Sequence, residues 1–128
     1  MIRWINWGKP NFVHACDMVH FEVGTKQRYG FGPIDKARVS AGLELFHRSA
    51  AQLDAHLKGR DGLLESGLSY ADFRMATFLP FNDIARLPIA EYPNINRWNQ
   101  NLSALAAWSN PFEGLNAPAL PPVLPRQD

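Results

Sequence analysis

Apolar positions recur at helical spacing along most of this chain, and at no point do they alternate as a strand requires. Val39, Leu43, Phe46, Ala50, Leu53 and Leu57 follow one another four and three apart, which makes one continuous stripe on a helix. That helix is predicted to open near Pro33, with Asp35 favourable to its positive end, and to close at Lys58 and Gly59. Upstream, a helical pattern runs from Ile2 to about Tyr29. It is broken at "WGKP", because Pro10 has no amide hydrogen and crowds the preceding turn, and a kink is expected there. A third helix is predicted from Ser69 to about Leu87, apolar on nearly every side and therefore central. A fourth begins near Pro93 with Ile95, Trp98, Leu102 and Leu105 on one face. The expected fold is all-α, a bundle of four to five helices around a buried central helix, spanning residues 1–110. The last eighteen residues, 111–128, contain five prolines and are predicted to form an extended tail.

Composition narrows the function. The chain has 128 residues, 46% hydrophobic and 20% charged, enough for a single core and typical of a globular domain. No apolar run approaches the 18 residues of a membrane span, so no membrane association is expected. Net charge is +1 with the cations scattered, and nucleic acid is a poor partner without a basic stripe. The single cysteine, Cys16, excludes an internal disulfide, and with no signal-like segment at the start the expected compartment is the cytoplasm.

The stretch "GLSYADF" marks the start of the third helix with a capping box. Ser69 at the N-cap accepts from the amide of Asp72, and Asp72 reaches back to the amide of Ser69. At a buried helix start, where water cannot substitute, either residue changed to alanine is predicted to cost about 1 to 2 kcal/mol. Asp72 reads as a structural carboxylate rather than a catalytic one.

The box, preceded by "LDAHLKGRDGLLESGL" and followed by "RLPIAEYPNINRWNQNLSALAAW", resembles the C-terminal, all-helical domain of bacterial-type glutathione S-transferases. "RWINW" and "FHRSAAQLDAHL" are similar to the first two helices of that domain. The order and spacing of these pieces over residues 2–109 carry the likeness more than any single motif. In that family a thioredoxin-like domain precedes this one, binds glutathione as co-substrate and carries the residue that activates or engages the thiol. Its βαβ pattern is not found in this chain. The resemblance therefore implies the half of the active site that receives a small electrophilic substrate, completed by a thioredoxin-like partner domain and assembled as a homodimer in the full-length family. The chain alone is expected to bind no glutathione tightly and to show no transferase activity.

The first helix is where binding is expected. Phe12, Cys16, Val19 and Val23 form one stripe, while Trp7, Asn11, His14, Met18 and Phe21 form a second, about 140° away. One stripe suffices for a bundle, so the second suits a co-substrate wall or a partner interface. Trp7, Asn11, His14 and Met18 are the candidate substrate-binding residues, with Trp108 bordering the cleft. Asn11 has the alternative of bonding only to backbone, and His14 that of an interface histidine. No catalytic residue is assigned: Cys16 falls on the core stripe and reads as a buried thiol, and Trp98 reads as packing. Asp17 with His20, and Glu44 with His47, show the three-residue spacing of di-metal bundles. Glu44 and His47 lie about 110° from their core stripe, so no metal site is expected. The remaining alternative is a non-enzymatic helical interaction module.

Overall fold

The computed structural model describes residues 2–105. Trp108, the 110/111 boundary and the proline-rich tail lie outside the described residues. Seven α-helices are described: α1 (Ile2–Gly8), α2 (Phe12–His20), α3 (Lys26–Tyr29), α4 (Lys36–Leu57), α5 (Tyr70–Met75), α6 (Asn82–Ala85) and α7 (Pro93–Ser103). Short 3-10 turns at Leu79–Phe81 and Ile89–Glu91 join the later helices. The fold is all-α, as expected. The described residues contain no strand beyond an isolated bridge between Leu64 and Gly67, and none of their helices is long and apolar enough to cross a membrane.

The break at "WGKP" separates α1 from α2 through a turn over residues 9–11. One wide π turn, Phe21–Thr25, links α2 to α3, and within it Glu22, Val23 and Gly24 are all buried. Glu22 is an internal carboxylate on which the α3–α4 connection is pinned. Its Oε1 accepts from Lys26 Nζ at 2.7 Å and from the Asp35 amide at 2.8 Å. Gly30, at φ 66°, ends α3 in the left-handed conformation that glycine adopts without strain. Asp35 is the N-cap of α4, accepting from the amides of Ala37 and Arg38 at 3.0 and 3.2 Å. Pro33 thus lies outside the helix rather than at its first position.

The core forms where α2 lies across α4, with α4 in turn packed on α7. Phe12, Cys16, Val19 and Val23 are buried against Val39, Phe46, Ala50, Leu53 and Leu57. Gly42 allows the close approach: a Cβ there would sit 2.9 Å from Val19 Cγ2 and 3.1 Å from Met18 Cβ. α4 and α7 also cap each other. Asp54 of α4 accepts the amides of Asn94 and Ile95 at 2.8 and 2.9 Å, satisfying two orphan donors at the start of α7. Arg97 of α7 donates to the carbonyls of Leu57 and Arg60 at 2.6 and 2.8 Å, at the end of α4.

The third predicted helix is corrected. Instead of running from Ser69 to Leu87, it breaks after Met75 into a turn, a 3-10 turn and the short α6. Pro80 explains the break, since it has no amide to donate to the Ala76 carbonyl and its ring crowds that turn. Nor is the segment apolar on all sides of a buried rod. Its leading turn is buried at Ala71 and Asp72, but Tyr70, Arg74 and Phe81 face solvent.

Candidate functional site

A surface pocket lies where α1 packs on α5. It is a pocket of about 220 Å³, with Trp4, Ile5 and Val13 on the α1–α2 side and Met75 on the α5 side. Lys9, from the turn after α1, and Arg74, from α5, also line it, and Gly8 and Thr77 complete it. Gly8 is there for space. A Cβ at that position would come within 2.7 Å of Met75 Sδ and Cε, so the absent side chain is what lets Met75 sit between the two helices. Trp4 is held from two directions: edge-on by Trp7 at 5.4 Å between ring centroids, and by His56 of α4 at 4.2 Å. Arg74 lies 5.9 Å from the ring centroid of Tyr70, one turn earlier.

None of the described candidate residues read from the sequence lines this pocket. Trp7 is partly buried and touches the pocket through Trp4. Asn11 donates from Nδ2 to the Trp7 carbonyl at 2.7 Å, so its amide closes the C-terminal turn of α1, one of the two roles open to it. His14 is exposed. Met18 is half-buried and lies at the α2–α4 crossing beside Gly42. Trp108 is outside the described residues. The lining residues Trp4, Lys9, Arg74 and Met75 were missed. Their only sequence signal was a glycine next to a proline kink, and the pocket itself depends on a contact between segments some sixty residues apart.

Reactive groups near α2 are held inactive. Cys16 is 1% exposed, and burial pushes its thiol up to about 12, which leaves almost no thiolate. His20 has its Nε2 enclosed without a hydrogen-bond partner and its ring against Phe78 and Phe81. Burial, and next the nearby Arg28 charge, lower its pKa from the usual value. Among the described residues no group of His, Cys, Asp and Glu is arranged to hold a metal ion. Glu44 and His47 are exposed, and His47 Nδ1 instead pairs with the Tyr92 hydroxyl at 2.6 Å.

The capping box is formed, and Asp72 does more than the sequence suggested. It is fully buried, and its Oδ2 accepts from the Ser69 amide at 2.7 Å and the Ser69 hydroxyl at 3.1 Å. Its Oδ1 accepts from the Leu63 amide and from the Trp98 indole, both at 2.9 Å. Trp98 is therefore a donor as well as packing. One carboxylate joins the loop before α5, the start of α5 and the middle of α7.

Residues 36–110, more than half of the chain, match the family of the glutathione S-transferase C-terminal domain. The chain belongs to that family. No curated protein and no solved structure matches it significantly. The matched span of this glutathione S-transferase C-terminal domain runs from the start of α4 through α7. It includes the Asp72 junction, while the α1 wall of the pocket precedes it.

Proposed function

We propose that this domain is the electrophile-binding half of a glutathione S-transferase-like protein, acting with a thioredoxin-like domain that binds glutathione. The observation that carries this reading is the half-open pocket between α1 and α5, in a chain whose family is that of the transferase C-terminal domain. The electrophile is held against Trp4 and Met75. Trp7 adjoins this wall through its ring contact with Trp4, and Asn11, His14 and Met18 are proposed as further contacts outside the pocket lining. The glutathione thiolate, generated on the partner domain, attacks the electrophilic carbon; a C–S bond forms and the leaving group departs with its electron pair. The contribution of this domain is position: a bound electrophile beside a bound thiolate turns a bimolecular encounter into an intramolecular one. Its own thiol is buried and protonated, so the nucleophile comes from glutathione.

The test is conjugation of glutathione to an activated aryl halide. The protein is assayed alone and joined to a glutathione-binding thioredoxin-like domain. Turnover is expected only for the joined form, and turnover by the chain alone would refute the division of labour. A docking role without chemistry is favoured by a different observation: Tyr29 and Phe31 stack at 5.8 Å while 50% and 63% exposed. A joined protein that binds partners yet conjugates nothing would support that second reading.

A further inference from the structure

We infer that the pocket between α1 and α5 selects ligands that carry an anionic group, and that its substrates are small amphipathic acids: an apolar body with a carboxylate. The inference deepens the electrophile-binding reading above and rests on it. The pocket lining offers two cations and, among the described residues, no counter-charge. Lys9 and Arg74 both line the pocket, and no carboxylate does. Among the described residues the carboxylate ion pairs are made by Lys26 and Arg38 with Glu22, and neither Lys9 nor Arg74 takes part in one. Asp72, two residues before Arg74, is enclosed and already accepts from Leu63, Ser69 and Trp98. Among the described residues the one polar contact of the Arg74 side chain is a long one, 3.5 Å from Nη1 to the Tyr70 hydroxyl, which leaves most of its five donors for a ligand.

The remaining walls set the other half of the ligand. Trp4, Ile5, Val13 and Met75 offer an aromatic, aliphatic and thioether surface that suits a flat apolar body. A volume of about 220 Å³ falls below the range usual for drug-sized ligands, about 300 to 1,000 Å³, so the body is small, of the order of one ring. With two cations and an apolar base in one lining, a one-ring carboxylate lies flat while its anionic end reaches one or both cations. A neutral amide of the same shape fills the base equally but gains nothing from the charges.

The experiment compares two probes that differ only in charge, 4-chlorobenzoate and 4-chlorobenzamide. Each is titrated into the isotopically labelled full chain while the tryptophan indole resonances are followed. Trp4 lines the pocket and reports occupancy; Trp98, tied to Asp72, serves as the internal reference. The expected result is a saturable shift at Trp4 with the acid binding about three- to tenfold more tightly than the amide, the gain open to two solvent-facing charge contacts. In a Lys9→Ala, Arg74→Ala double variant that preference disappears, and the acid and the amide bind with equal affinity. Both positions are exposed, so the variant keeps its core, and a matching melting temperature confirms it. Equal affinity for acid and amide in the natural chain would overturn the anion inference alone, leaving the pocket reading intact. An unmoved Trp4 with both probes would overturn the pocket reading and the inference together.

Discussion

Replacing Asp72 by alanine is the most informative perturbation of the fold. The carboxylate is fully buried, and its removal strands the Leu63 amide, the Ser69 amide and the Trp98 indole, which it accepts at 2.9, 2.7 and 2.9 Å. A buried donor left without a partner costs about 1 to 3 kcal/mol. Part of the sum is recovered, because the charge no longer has to be held out of water. The net loss expected is about 3 to 5 kcal/mol, as for other broken buried charge networks. In a domain of this size that lowers the melting temperature by roughly 10 to 20 °C. Ser69→Ala removes the hydroxyl's 3.1 Å contact to Asp72 and its half of the capping box, at a half-buried site, while the Asp72 carboxylate keeps its other donors, and is expected to cost about 0.5 to 1 kcal/mol. Sequence alone placed both substitutions in the same range, and the structure separates them. Urea titration followed by circular dichroism, read together with the Trp98 indole resonance, measures the difference. Equal losses for the two variants, or an Asp72→Ala variant within 1 kcal/mol of the natural chain, would refute the reasoning.

Three further outcomes are expected. Gly42→Ala forces a Cβ to within 2.9 Å of Val19 and 3.5 Å of the Ala15 carbonyl; despite better helix propensity it should destabilise by about 1 to 3 kcal/mol, read as a lower urea midpoint. His20 has a folded pKa below its usual 6.5 through burial and Arg28, with Asp17 and Asp83 opposing. The unfolded chain therefore takes up the proton first, and stability should fall as pH drops from about 6.5 towards the folded value. His20→Phe should flatten that part of the pH profile, and an identical slope in the variant would exclude His20 as its source. Cys16, with its thiol pushed up to about 12, should resist a disulfide-exchange reagent in the folded protein and react promptly once urea unfolds it.

How much was legible depended on whether a feature is local. The α4 stripe could be read because twenty-two residues repeat one amphipathic pattern, and α2 because Phe12, Cys16, Val19 and Val23 keep helical spacing into the core. The kink at Pro10 and the Ser69–Asp72 box are likewise written within a few residues. The third helix was overextended because apolar residues were counted without weighing Pro80, and because Tyr70 and Phe81 are aromatic yet exposed. Contacts between distant segments left no trace: Asp54 capping α7, Arg97 closing α4, and Trp98 reaching Asp72 each link residues 26 to 41 apart. The pocket belongs to the same class, since Met75 meets Gly8 only after α5 has packed on α1.

The central claim is that this domain holds the electrophile while glutathione is held elsewhere. The most direct measurement is the steady-state kinetics of Trp4→Ala in the chain joined to a glutathione-binding domain. The account predicts a several-fold higher KM for the aryl halide with the KM for glutathione unchanged. A raised KM for glutathione with the aryl halide unaffected would contradict it.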